Sequence, residues 1–309
     1  MLAIFLKTLP FFALIAVGYW AGRTRFFTAE ATAYLTKFVF YFALSAMLFN
    51  FSANLSLAEV WNGRLVAAYL WGTLFVYGIA TIVCYLRGLN IEVTAIEAQC
   101  AVIGNVGFLG VPMLVLLLGP QAVGPVMLVL AVDLIVFSSL IVILITGSRD
   151  GRMTLAILRT VGLGLVKNPM IVAITLGLLW SGLEIPMPVP LNEFLTLLGA
   201  AATPGALFAI GASLASKSAE RISIAGWLSF LKLVVHPLFV AFACFVLFKV
   251  EPYQAMVTVS AAALPVAGNI YILAQHYGTS PQRVSAAILV STALSIVTVS
   301  LWIAWLTGT

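Results

Sequence analysis

Two short stretches carry most of the chemistry that this sequence can offer. Residues 104–113 read GNVGFLGVPM and residues 263–271 read ALPVAGNIY, each placing proline, glycine and asparagine midway along an apolar run. Proline lacks the N–H that a helix needs, and glycine tolerates the non-helical angles that follow, so a helix through either stretch must break. In lipid the freed N–H and C=O groups need partners; water, an ion or a polar substrate can supply them, and positive half-helix N-termini favour an anion such as a carboxylate. Asn105 and Asn269 bring amide donors and acceptors to these breaks without an intramembrane charge, and either contact a ligand or cap the broken helices. With Gly107, and with Ser45 from the stretch SAMLF that can be laid on PGALF at 204–208, they form the candidate substrate-binding set. Gly110, Pro112, Pro265 and Gly268 are read as shaping a helix crossover.

Three titratable residues fall inside apolar runs. Asp133 stands alone in its run, where an unpartnered charge is expensive, and Lys232 and His236 are one helical turn apart, so both can face one interior point. Two readings stay open: a proton or cation relay, or a fixed ion pair that orients two helices. Lys37 reads as snorkelling to a surface and His276 as interfacial. Cys84, Cys100 and Cys244 lack metal-ligand spacing and read as small buried hydrophobes, so no metal site is expected. No cofactor is expected beyond a coupling ion, proton or sodium. The patterns G-x-x-x-x-G-K-[ST], H-E-x-x-H and G-x-S-x-G are absent, which argues against ATP drive within the chain and against an enzyme.

The elements that must position these residues follow from composition. Of 309 residues 63% are hydrophobic and 8% charged, against roughly 25% charged in soluble domains. Apolar runs of about 20 residues recur with short polar breaks, the signature of an all-α integral membrane protein. Ten spans are expected, at about 5–22, 31–51, 64–86, 95–118 and 121–146, then 167–183, 191–215, 222–248, 254–277 and 282–306. Loops after odd-numbered spans hold Arg23, Arg25, Arg87, Arg149, Arg152, Arg159, Lys167, Lys217, Arg221 and Arg283, whereas those after even-numbered spans hold little beyond Arg64 and Lys249. This bias puts the odd loops in the cytoplasm and both termini on the other side. The basic balance is thus a matter of membrane orientation, with no nucleic-acid partner implied. A polar interval at 147–166, read as a cytoplasmic linker, separates a first five-span repeat (1–146) from a second (167–309) within a single membrane domain. Five is odd, so the second repeat starts on the opposite side. Paired interruptions in the fourth span of each inverted half point to a transport site at the bilayer midplane.

NVGFLGVPM, the Asn168-Pro169 start of span 6, ALFAIGASLA at 206–215 and PVAGNIYILAQHYG at 265–278 together resemble the auxin efflux carrier family, whose bacterial members include malonate and malate permease candidates. The resemblance covers nearly the whole chain. It implies two inverted five-helix repeats with crossing helices 4 and 9, similar to bile-acid symporters and sodium/proton antiporters. It also implies a scaffold of spans 1, 2, 6 and 7, often dimeric, beside a mobile block of spans 3–5 and 8–10. By that likeness Asn105, Pro112, Pro265 and Asn269 lie at the crossover. Two departures stand out: Leu44-Ser45-Ala46 replaces the usual mid-span proline of span 2, and the long loop of plant members is absent. The expectation is a secondary carrier of a small organic anion, a mono- or dicarboxylate such as malonate or malate or an auxin-like acid, in the inner membrane. A channel or a non-transporting sensor on the same fold is the alternative.

Overall fold

The computed structural model describes residues 2–55, 61–150, 155–215 and 222–308. In chain order the helices are α1 (Leu2–Arg23), α2 (Ala29–Ala53), α3 (Gly63–Leu86), α4 (Ile91–Val102), α5 (Val106–Leu118) and α6 (Pro120–Arg149). They continue as α7 (Leu155–Lys167), α8 (Pro169–Gly182), α9 (Val189–Leu214), α10 (Ile222–Leu247), α11 (Pro252–Ala262), α12 (Asn269–His276) and α13 (Pro281–Thr307). No strand occurs among the described residues; one isolated antiparallel bridge joins Gly104 to Val266. Among the described residues six helices, α2, α3, α6, α9, α10 and α13, are each long and apolar enough to cross a bilayer, and α7 with α8 adds a seventh if the pair, bent by 70°, is counted as one span. The chain is therefore a multi-pass helical membrane protein.

The bend has a local cause. Asn168 precedes Pro169, whose ring bars the preceding residue from helical angles, and Asn168 is extended at φ −78 and ψ 113. Its side-chain oxygen then accepts the Met170 N–H at 3.0 Å, so the same residue ends one helix and caps the next. The described part of the 147–166 interval is helical: α6 runs through Arg149, and α7 exposes Leu158, Leu163 and Val166 beside Arg159 and Lys167. Residues 151–154, with Arg152, and the positions of Lys217 and Arg221 lie outside the described residues.

Loop contacts sort the helix ends into two groups. At one end Arg149 bonds Glu92 and the Tyr277 carbonyl, and Arg87 and Arg283 both bond Glu97, joining the connections that follow α3, α6 and α12. At the other end Asn62 bonds Gln254, the Tyr253 hydroxyl bonds the Leu118 carbonyl and Ser181 bonds the Leu55 carbonyl.

Helices α1, α2, α8 and α9 pack on one another, and their closest approaches run through glycine. A Cβ placed on Gly18 would overlap the Phe208 carbonyl, and one on Gly211 the Ile15 carbonyl, so α1 and α9 touch backbone to backbone. Gly177 meets Phe49 and Ser52 in the same way between α8 and α2. In a membrane, where lipid is as apolar as leucine, such close packing replaces the hydrophobic effect between helices. Gly211→Leu is expected to destabilise the detergent-purified protein by about 2–3 kcal/mol; an unchanged thermal midpoint would contradict this packing.

Candidate functional site

The two interruptions meet. The Asn105 N–H donates to the Pro265 carbonyl at 2.8 Å, and the Ala267 N–H donates to the Ile103 carbonyl at 3.1 Å. Much of the backbone freed by the breaks is thus paired break to break, where the sequence alone had assigned it to water, an ion or substrate. A third freed group, the Val266 N–H, donates to the Ser291 hydroxyl of α13 at 3.1 Å. Four helix ends converge here: the C-terminal ends of α4 and α11 carry partial negative charge, and the N-terminal ends of α5 and α12 partial positive charge.

The two amides are left over from this pairing. Asn105 is buried, its carbonyl accepts the Leu109 and Gly110 N–H groups, and its side chain caps nothing. Asn269 opens α12 half-buried beside an exposed Gly268, and its Oδ1 has no partner among the described residues. Capping therefore does not employ either amide. A polar ligand set against the N-terminal ends of α5 and α12 would find free amide groups at both breaks.

The remaining sequence candidates divide. Gly107 lies under Met170 of α8, where a Cβ would come within 2.6 Å of the methionine methyl, and Gly110 lies equally close to Leu264 beside the other break. Pro112 stands inside α5, where the π turn over Val106–Gly110 passes into regular turns, and Pro265 supplies the carbonyl that Asn105 uses. Ser45 is on α2 and donates to its own chain, at the Phe40 carbonyl 3.0 Å away, where a π turn over Val39–Ala43 has left an oxygen unpaired. Phe40 in turn stacks on Phe108 of α5 with centroids 6.2 Å apart. Of the substrate-binding candidates, Ser45 is the one whose proton is already committed.

The buried titratable residues fall into two hydrogen-bonded groups without an ion pair between them. Asp133 opens a π turn in α6; Oδ1 accepts the Tyr69 hydroxyl at 2.7 Å, and Oδ2 has no partner among the described residues. His236 Nε2 lies 3.0 Å from Thr73 Oγ1, and its Nδ1 is 3.3 Å from Lys232 Nζ. Lys232 Nζ donates to the Ala262 carbonyl at 2.5 Å. The fixed pair of Asp133 with Lys232 or His236, one of the two sequence readings, is not formed: the lysine is drawn to the end of α11 and the carboxylate to Tyr69. Sequence reasoning missed Tyr69, Thr73 and Ser291, because a tyrosine or hydroxyl in an apolar span is common and no spacing marks these three.

Among known proteins, the chain matches the family described as "Membrane transport protein" over residues 3–303, nearly its full length. The chain belongs to this family, the auxin efflux carriers. It is 29% identical over 298 residues to a Rhizobium meliloti (strain 1021) protein named "Putative malonate transporter", covering 94% of this chain and 92% of the relative. It is 26% identical over 307 residues to the "Uncharacterized transporter YfdV" of Escherichia coli (strain K12), covering 96% and 95%.

In this member of the family two ion-pair clusters brace one end of the helices around the crossing. Glu97 on α4 is fully buried, bonded at 2.7 Å to Arg87 and also to Arg283, with the Cys84 thiol donating at 3.3 Å. Glu92 accepts from Arg149 at 2.7 Å and from the Thr279 hydroxyl at 3.0 Å. The hydrogen-bonded guanidinium of Arg149 holds the Glu92 carboxyl below its ordinary value. A lowered native value means that this contact stabilises the fold above the ordinary carboxylate range and is lost as pH falls through the native value. Glu92→Gln should therefore lower the thermal midpoint slightly at neutral pH and leave it unchanged at acid pH; equal losses at both would contradict the pairing. Cys84, Cys100 and Cys244 are buried, as expected.

Proposed function

We propose that this protein is a secondary transporter of a small organic anion, a mono- or dicarboxylate of the malonate or malate kind, in the cytoplasmic membrane. The observation that carries this reading is that neither Asn105 nor Asn269 spends its side chain on a helix cap, although both stand where the positive ends of α5 and α12 face the crossing. Carboxylate oxygens accept from amide N–H groups, and helix N-termini favour negative charge. The name of the Rhizobium meliloti relative favours malonate as the first acid to try.

In this reading the chain is two inverted five-helix repeats, and the broken helices α4–α5 and α11–α12 are their fourth members. Helices α1, α2, α8 and α9 form a scaffold through which two copies pair. The rest moves as a block carrying the acid, an elevator-type cycle with both termini outside the cytoplasm. The ion-pair clusters on Glu92 and Glu97 favour a rigid block, since they tie together α4, α6, the connection after α3 and the connection from α12 to α13. Asp133, with the Lys232 and His236 pair nearby, is the candidate group for coupling to a proton gradient.

Uptake into proteoliposomes over a panel of mono- and dicarboxylates, with proton and sodium gradients imposed separately, tests this reading. Saturable uptake of at least one acid is expected; binding of an acid without uptake would make the chain a sensor, and unsaturable flux a channel. Asp133→Asn should remove the pH dependence of uptake, whereas an unaltered pH profile would leave Asp133 a structural group.

A further inference from the structure

The crossing has a negative side that the anion reading leaves unused. Carriers with broken helices hold coupling cations on unwound carbonyls and on the C-terminal ends of half-helices. Here those ends belong to α4 and α11, and a lysine already reaches them. Lys232 has no exposed surface, its Nζ bonds the Ala262 carbonyl that ends α11, and the nitrogen lies against Gly104 in the opposite break. A Cβ on Gly104 would be 3.3 Å from Nζ and 3.4 Å from the Ala261 carbonyl.

We infer that the Lys232 ammonium is a built-in counter-cation, occupying the place at the crossing that a coupling sodium ion would take, so that the crossing forms without sodium. An ammonium nitrogen, like a sodium ion, satisfies carbonyl oxygens at close range and is favoured by the negative ends of helix dipoles. Burying it without compensation would be costly, and the compensation is present: the Ala262 carbonyl and the negative ends of the α4 and α11 dipoles. The titratable groups around it are Asp133 on α6, His236 on its own helix and Tyr69 on α3. A side chain at Gly104 would crowd the ammonium, which would have to give by a few tenths of an ångström.

This deepens the transport reading for flux, but occupancy of the cation position rests on the crossing alone, so its test needs no substrate. The thermal midpoint of the detergent-purified protein is compared in sodium chloride and choline chloride at equal ionic strength, for wild type and for Lys232→Ala. Wild type is expected to show the same midpoint in both salts. In choline Lys232→Ala should fall by at least about 5 °C, with part of the loss restored by sodium or by ethylammonium, each of which can enter the vacated space. Lys232→Met fills that space without a charge and should fall without being restored by either cation. A sodium-specific rise in the wild-type midpoint overturns the inference, and that arm holds even where the variants fail to fold. A Lys232→Ala midpoint equal to wild type in every salt overturns it as well. If no acid is transported, the transport reading fails and these outcomes keep their meaning.

Discussion

Asn105→Ala and Asn269→Ala should each lower the initial rate of uptake of the transported acid by roughly 30- to 140-fold while leaving the thermal midpoint near wild type. A hydrogen bond from an amide to a charged carboxylate contributes about 2–3 kcal/mol in a site shielded from water, and that energy gives the stated factor. The small effect on stability is the informative half of the prediction. Neither side chain caps a helix, and Asn269 Oδ1 has no partner among the described residues, so alanine removes no bond on which the fold depends. Wild-type uptake by both variants would move the site elsewhere. A large loss of stability with uptake preserved would assign the amides to the breaks themselves.

The second large effect concerns Glu97. Its carboxylate is fully buried and serves Arg87, Arg283 and the Cys84 thiol together. Glu97→Ala leaves two guanidinium groups facing each other in a space built for an intervening negative charge, and removing one partner from a buried ion cluster costs about 3–5 kcal/mol. Glu97→Gln, which keeps the shape and some hydrogen bonding, should fall between the two. Unfolding of the purified variants measures this, and a cost for Glu97→Ala under about 1 kcal/mol would show that the cluster behaves as an exposed surface pair.

The sequence was most legible where a residue type forbids something. Pro112, Pro265 and the glycines around them cannot continue a membrane helix quietly, so the breaks announced themselves, and the same two stretches carried the family resemblance. The partners of the breaks were not legible. That Asn105 N–H would find the Pro265 carbonyl depends on how two segments 160 residues apart are brought together, and that Val266 N–H would find the Ser291 hydroxyl depends on how α13 packs on the second break; no local pattern encodes either. Asp133 and Lys232 were recognisable as costly charges, yet their direct pairing failed because Tyr69 and the end of α11 offered nearer partners. Glu97 was overlooked although a signal was present: an acid in the apolar helix IEVTAIEAQCAV, ten residues after Arg87, needs a cation. The helicity of the described part of the 147–166 interval was hidden by the polar residues at its start, which suit a surface helix as well as a loop.

The crossing of the two breaks is the proposed place where an organic anion is bound and carried. Counterflow in proteoliposomes tests it most directly: vesicles loaded with unlabelled malonate are diluted into labelled malonate, with no ion gradient, for wild type and Asn105→Ala side by side. A carrier that alternates access with the acid bound gives a transient accumulation of label above equilibrium in wild type and a severalfold smaller one in the variant. Label that only approaches equilibrium in wild type, under conditions where malonate is bound, or an identical overshoot in both proteins, would contradict it.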